Sequence, residues 1–88
     1  MADNVNKPDH YTQGDVECIE AIDSATTGLV GMVAVCVANV IKYVWRFARK
    51  NGLEDLDKAD YYLQRVRKIV REKVERERQT NFNFDKGE

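Results

Sequence analysis

The sequence predicts an all-α protein: a small three-helix domain that assembles as a homo-oligomeric helical bundle. Three observations support this prediction. Apolar residues recur every three to four positions over most of the chain, which is the period of an amphipathic helix. There is no alternating strand pattern to build a sheet around. The chain has only 88 residues, so it has room for one domain whose own core is marginal.

The first predicted helix spans about residues 16–25. Residues 1–15 before it are polar and contain the only proline, which predicts an extended N-terminal segment. Asp15 is a residue type that often caps helix N-termini, because its carboxylate can accept hydrogen bonds from free backbone N–H groups. The apolar positions at helical spacing are Cys18, Ile19 and Ile22. The two threonines and the glycine at 26–28 should end the helix.

The second predicted helix spans about residues 29–50. Its first half is apolar on every side, which is typical of a helix that is buried on every side. Two further helices in so short a chain could hardly cover it, so we expect a second subunit to do so. Asn51 and Gly52 form a typical left-handed C-terminal cap after its last turn.

The third predicted helix spans about residues 54–79. Acidic residues in its first turn suit the positive end of the helix dipole. Its apolar positions follow the alternating spacing of three and four residues that indicates a bundle or coiled-coil seam; they are Leu56, Ala59, Leu63, Val66 and Val70. Residues 80–88 lack this pattern, which predicts a flexible tail after a single helical domain at 16–79.

The charge and cysteine content excludes several classes of protein. The net charge is −1, so nucleic acid is an unlikely partner, although acidic and basic residues are segregated into blocks that could hold smaller anions. The longest apolar run, 29–38, is too short for a membrane span of about 20 residues. Cys18 and Cys36 lie apart in apolar helical segments, so we expect unpaired thiols in a reducing cytoplasm.

The second half of the second helix carries a basic and aromatic face. At about 100° per residue, its cations and one asparagine fall within an arc of about 100°, with an aromatic residue at each border. The arc contains Asn39, Lys42, Arg46, Arg49 and Lys50, with Tyr43 at one border and Trp45 at the other. Cations can bind phosphate, and a flat ring can stack on a base. This pattern predicts a nucleotide-binding face with Arg46 as the main phosphate contact. The alternative is a salt bridge from Arg46 to Glu17, Glu20 or Asp55 that only holds helices together.

Two further sets of residues could carry chemistry. His10 has a side chain suited to proton transfer near neutral pH, and Tyr11 is its neighbour. Acidic pairs at i, i+3 spacing occur in the first and third helices and could hold Mg²⁺ over a pyrophosphate; they are Glu17 with Glu20 and Glu54 with Asp57. Solvated carboxylates are the simpler explanation of both pairs. No cofactor is certain, Mg²⁺ is the one candidate, and no phosphate-binding P-loop sequence is present.

Several sequence strings resemble the small "SaV-like" family of tailed phages, a domain of unknown function whose podophage members are described as nucleotide kinases. The strings are Asn6-Lys7-Pro8-Asp9-His10-Tyr11, Asn39-Val40-Ile41-Lys42-Tyr43-Val44-Trp45-Arg46, Lys50-Asn51-Gly52-Leu53-Glu54-Asp55-Leu56, Lys58-Ala59 and Tyr61-Tyr62-Leu63. The resemblance covers about residues 5–65. It implies a phage protein that acts on nucleotides in the host cytoplasm.

Three functions remain open at this point. The first is phosphoryl transfer to a nucleoside monophosphate without a P-loop, with His10 or Asp55 orienting the acceptor as the catalytic candidates and Tyr11 among the nucleotide-binding ones. The second is sequestration of a signalling nucleotide of host defence without turnover. The third is Mg²⁺-dependent nucleotide pyrophosphate cleavage by the acidic pairs. All three predict a nucleotide ligand and a homo-oligomer.

Overall fold

The computed structural model of the protein describes residues 12–86, and the side chains of 14–79. His10 and Tyr11 therefore lie outside the described residues. Three helices follow one another along the chain: α1 (Cys18–Thr26), α2 (Gly31–Arg46) and α3 (Leu53–Lys86). The all-α prediction is confirmed. A short antiparallel pair of strands, β1 (Thr12–Gln13) and β2 (Val16–Glu17), precedes α1.

The start of α1 differs from the sequence prediction. Residues 16 and 17 pair with 13 and 12 in the small hairpin, and Asp15 lies in its turn. The N-cap of α1 is therefore Glu17 rather than Asp15. The Glu17 backbone N–H donates to Oε1 of Glu20 at 3.0 Å, which is one half of a capping box. The prediction that Asp15 caps a helix beginning at residue 16 is wrong, because strand pairing occupies those residues.

The connection between α2 and α3 is tight. The α-helical part of α2 ends at Arg46, and one 3₁₀ turn continues it over Phe47–Arg49, close to the predicted end at 50. Gly52 has a φ of +57°, and its N–H donates to the carbonyl of Phe47 at 2.8 Å. The left-handed cap at Asn51 and Gly52 is thus confirmed, since glycine adopts a positive φ without a steric penalty.

Helix α3 is the longest element of the molecule. Its 34 residues correspond to about 51 Å at 1.5 Å per residue, and the molecule extends 68 Å in its longest direction. The backbone stays helical to Lys86, seven residues beyond the predicted end at 79. The backbone therefore shows no helix end at residue 80, although the residues that follow lack an apolar pattern.

A single chain covers little of its own apolar surface. Helix α2 packs on α1 and on α3, and the buried apolar side chains among the described residues are Cys18, Cys36 and Ala59. Both cysteines are free thiols, as predicted. Many larger apolar side chains are exposed, among them Val30 at 81%, Leu53 at 72% and Ile19 at 66%. The homo-oligomeric bundle remains a prediction that this exposure favours.

The segment Gly31–Arg49 is also long and apolar enough to cross a membrane, as judged by length and composition alone. Core helices of soluble proteins meet the same criterion. Few residues of this segment are fully buried by the rest of the chain, and more than half are half-buried.

Candidate functional site

A buried ion pair joins the end of α2 to the start of α3. Arg46 is the last residue of α2 and Asp55 lies in the first turn of α3. Arg46 donates from Nε to Oδ2 and from Nη2 to Oδ1 of Asp55, both at 3.2 Å. Arg46 is 8% exposed and Asp55 is fully buried. The planar guanidinium therefore binds the carboxylate through two parallel hydrogen bonds, the strong geometry for this pair.

The connection between the helices supplies further donors to Asp55. The Asn51 backbone N–H donates to Oδ2, and its Nδ2 donates to Oδ1, each at 3.2 Å. Burial alone would raise the pKa of Asp55, but the hydrogen bonds from Arg46 and Asn51, together with the positive charge of Arg46, lower it below its usual value. Asp55 is thus a charged, fully hydrogen-bonded group at the centre of what we call the Arg46–Asp55 elbow (Arg46, Asn51 and Asp55).

The elbow changes the interpretation of two predicted site residues. Arg46 was expected on the polar arc as the main phosphate contact, but its guanidinium fork is held by Asp55. The alternative, a salt bridge from Arg46 to Asp55 across two helices, is the arrangement observed. Asp55, a catalytic candidate, likewise has both carboxylate oxygens occupied. The elbow accordingly suits a structural role for both residues.

A second arrangement of cations surrounds the ring of Tyr43, one turn before Arg46. The Nζ of Lys42 lies 4.5 Å from the ring centroid, the Cζ of Arg46 4.9 Å and the Nζ of Lys58 5.5 Å. All three distances are within the range of a cation–π interaction. Tyr62 of α3 stacks on Tyr43 with 6.1 Å between centroids and 11° between planes. We call Lys42, Tyr43, Lys58 and Tyr62 the Tyr43 cluster.

Both helices contribute neighbouring positions to this cluster. Lys42 and Tyr43 are consecutive on α2, whereas Lys58 and Tyr62 stand at i, i+4 on α3 and so share one helix face. Tyr61 extends the aromatic surface, because its ring meets Tyr62 edge-on at 5.1 Å and is 58% exposed. The four cluster residues are themselves half-buried. The result is a partly desolvated aromatic surface with two ammonium groups at its edge.

The two lysines of the cluster differ in their counter-ions. The Nζ of Lys58 lies 3.3 Å from Oε2 of Glu54 in an exposed i, i+4 pair, a kind of pair that is easily exchanged for water or another anion. Within the part of the chain that the structure describes, Lys42 has no carboxylate within salt-bridge distance. Burial raises the pKa of the Cys18 thiol, and the charge of Lys42 partly offsets this. Lys42 therefore lies where α1 and α2 meet, with a positive charge that the described carboxylates leave uncompensated.

The remaining residues of the predicted arc lie elsewhere. The Nδ2 of Asn39 donates to the carbonyl of Val35 in its own helix at 2.9 Å. Trp45 lines an open apolar groove between α1 and α2 together with Ala21, Ala25, Val40, Ile41 and Val44. Arg49 is exposed on the 3₁₀ turn. Of the predicted face, Lys42, Tyr43 and Arg46 come together, while Asn39, Trp45 and Arg49 have other surroundings.

The acidic pairs also have local partners. Glu20 accepts from the Glu17 backbone, and Glu54 pairs with Lys58. Across residues 12–86, no group of three His, Cys, Asp or Glu side chains converges as a metal site would require.

Sequence reasoning missed Lys58 and Tyr62 as members of the site. Both occur in the strings that carry the family resemblance, but the predicted binding face contains residues of α2 only. The signal that could have found them is their i, i+4 spacing, which places both on one face of α3 in the turns that follow the Asn51-Gly52 cap. Antiparallel helices joined by a short connection bring such positions face to face.

Comparison with known proteins identified a family but no characterised relative. Neither the curated proteins nor the solved structures contain a match to this chain. One family model, described as a protein of unknown function (DUF3310), matches residues 5–64, which include the whole elbow and the whole Tyr43 cluster. The chain is therefore a member of the DUF3310 family.

Proposed function

We propose that the protein binds a nucleotide at the Tyr43 cluster, with the phosphates near Lys42 and Lys58 and the base against the tyrosines. One observation carries the proposal: ammonium groups from two helices lie within 5.5 Å of one tyrosine ring centroid, and Lys42 has no described carboxylate partner. Two like charges in a half-buried site repel each other, and a bound phosphate would relieve that repulsion.

The aromatic part of the cluster favours a nucleotide over a simple anion. Stacked Tyr43 and Tyr62, with Tyr61 at their exposed edge, present flat apolar area beside the ammonium groups. Base stacking on tyrosine and charge-assisted contacts to phosphate are the two interactions that a nucleotide uses together. Arg46 belongs to this proposal only indirectly, since it lies under the Tyr43 ring while bound to Asp55.

The resemblance to phage nucleotide kinases supplies the reaction that we propose to test first. Phosphoryl transfer depends mainly on positioning and on neutralising the transferred group, which the two lysines could provide. Asp55 is left out of this proposal because its oxygens are already hydrogen-bonded. Sequestration without turnover uses the same binding site and needs no acid or base, so one experiment has to distinguish the two.

Calorimetric titration with ribo- and deoxyribonucleoside mono- and triphosphates, with and without Mg²⁺, tests binding. Lys42→Met should weaken the binding of the best ligand by about ten- to a hundredfold, because one charge-assisted contact contributes about 1.5–3 kcal/mol. Tyr43→Leu should weaken it by removing the stacking surface. Lys68→Met, which removes a cation from an exposed position of α3, is the matched control and should bind like the wild type.

The proposal fails if no nucleotide binds, or if Lys42→Met and Tyr43→Leu bind as tightly as the control. Incubation of the wild type with labelled nucleotides then distinguishes the reactions. A phosphate moved to a second nucleotide supports a kinase, intact ligand recovered from the protein supports sequestration, and released pyrophosphate supports cleavage.

A further inference from the structure

Helix α3 has a second apolar face that its own chain leaves uncovered. Four aliphatic side chains on it are 37–46% exposed: Leu56, Leu63, Val70 and Val74. At about 100° per residue they fall within an arc of about 40°, and they span about 27 Å along the helix. The residues of α3 with less exposure, such as Ala59 and Tyr62, lie on the neighbouring side. We call these four aliphatic residues the outer stripe.

The spacing of the outer stripe is that of a coiled-coil seam. Leu56, Leu63 and Val70 are separated by seven residues each, and Val74 follows four residues later, which is the pattern of a and d positions in a heptad repeat. With Leu56, Leu63 and Val70 at d and Val74 at a, the two intervening a positions are charged, Asp60 and Arg67. In a pair of such helices, Asp60 and Arg67 therefore each need an oppositely charged residue of the other helix nearby.

Between residues 57 and 71, the charges along one edge of the outer stripe are segregated by sign. Asp57 and Asp60 lie beside its N-terminal half, whereas Arg67 and Arg71 lie beside its C-terminal half on the same edge; all four are exposed. Asp60 accepts a hydrogen bond from Gln64 at 2.7 Å, and both residues are exposed. Two parallel copies would set aspartate against aspartate and arginine against arginine. Two antiparallel copies would instead set each aspartate pair against the arginine pair of the other chain.

We propose that the outer stripe is the interface with a second copy of this chain, and that the two α3 helices pack antiparallel. In this register Leu56 of one chain lies opposite Val74 of the other, and Asp57 and Asp60 lie near Arg71 and Arg67 of the other chain. The pairing buries the exposed aliphatic residues and neutralises four aspartates with four arginines. It is independent of the nucleotide site, because the Tyr43 cluster faces α2.

Sedimentation equilibrium at micromolar concentration tests the association. The wild type should sediment as a dimer or a larger even-numbered assembly. Leu63→Lys at the centre of the stripe should raise the dissociation constant at least tenfold, while Glu72→Lys, which places the same side chain on the opposite exposed face of α3, should not. A wild type that sediments as a 10 kDa monomer, or equal association of both variants, overturns the proposal. So does a monomer that floats with phosphatidylglycerol vesicles, because the stripe would then face lipid.

Exchanging the charges beside the stripe provides a second test of the interface if Leu63→Lys fails to fold. A chain carrying Asp57→Arg and Asp60→Arg should be monomeric alone, and so should a chain carrying Arg67→Asp and Arg71→Asp. Mixed together, the two chains should associate, because the four edge positions 57, 60, 67 and 71 are then all basic in one chain and all acidic in the other. Association of either chain alone at wild-type strength, or no association of the mixture, contradicts the proposed charge pairing.

Disulfide cross-linking tests the orientation. Leu56→Cys and Val74→Cys chains, mixed and mildly oxidised, should form the mixed disulfide, with wild-type protein as the control for the native cysteines. A parallel pair would instead link Leu56→Cys to itself, and that product would overturn the antiparallel assignment. In the antiparallel pair two Leu56→Cys sulfurs are separated by about 27 Å along the helices and cannot bond.

Discussion

Arg46 and Lys42 are cations one turn apart on the same helix, and they differ in exposure and in carboxylate partner. Arg46 is 8% exposed and binds Asp55 through two hydrogen bonds. Lys42 is half-buried and has no carboxylate partner among the described residues. Both lie within 5 Å of the Tyr43 centroid. The comparison shows that a cation on a helix face is structural or available for a ligand depending on what the facing helix places opposite it.

The largest expected effect comes from breaking the buried pair. Arg46→Ala leaves the Asp55 carboxylate buried without its main partner and should lower the free energy of unfolding by about 3–5 kcal/mol. In a domain of this size that corresponds to a fall of at least about 10 °C in Tm. Arg49→Ala, an exposed arginine on the next turn, is the control and should change stability by less than about 0.5 kcal/mol.

The binding and melting of Arg46→Ala together decide whether Arg46 is structural or binds the ligand. If the variant melts like the wild type and loses nucleotide affinity, Arg46 is the phosphate contact that the sequence predicts. If its Tm falls and the remaining folded protein binds nucleotide normally, the structural role is confirmed. Calorimetric titration and a thermal melt of the same sample distinguish these outcomes.

Acid should weaken the elbow in a defined pH range. The pKa of Asp55 is lower in the folded protein than its ordinary value of 3.8, so the folded state favours the charged form. The stability this contributes is complete above the unfolded pKa and is lost as pH falls through the folded pKa. The wild type should therefore lose more Tm between about pH 5 and pH 2 than Asp55→Asn does. Equal losses in both proteins would show that other carboxylates dominate the acid sensitivity.

A smaller effect is expected at Asn51. Its Nδ2 donates to Oδ1 of Asp55, and Asn51→Ala removes that bond while keeping the Arg46 contacts. The free energy of unfolding should fall by about 1 kcal/mol, the usual contribution of one hydrogen bond. Urea denaturation measures this, with Gln64→Ala as the control, since it removes an exposed hydrogen bond to Asp60. If Asn51→Ala lowers the free energy of unfolding no more than the control does, the elbow is stabilised by the Arg46–Asp55 pair alone.

The smallest expected stability effect is at Lys42. Lys42→Met keeps the side chain's length and apolar stem and removes a charge that lacks a described partner, so stability should change by no more than about 0.5 kcal/mol. The melt should therefore be unchanged in the same variant that loses nucleotide affinity. A Tm loss comparable to that of Arg46→Ala would mean that the Tyr43 cluster is structural as well.

Local sequence signals predicted much of the fold. The three-to-four spacing located three helices, and the Asn51-Gly52 cap was confirmed by the positive φ of Gly52. The differences lie at helix ends, and α2 begins at Gly31 rather than at about residue 29. The start of α1 moved to Cys18 because residues 12–17 form a hairpin, and α3 continues to Lys86 although its last residues lack an apolar pattern.

By itself, the sequence determined the all-α class, the unpaired thiols and the cap at Asn51 and Gly52, because helix periodicity and capping act over a few neighbouring residues. Only the tertiary structure decided that Arg46 faces Asp55 and that Lys58 and Tyr62 join Lys42 and Tyr43. The reason is physical: periodicity places a residue on a helix face, but the rotation of one packed helix against the next decides which faces meet. That rotation depends on contacts between residues distant in sequence, so the nearby sequence does not reveal it.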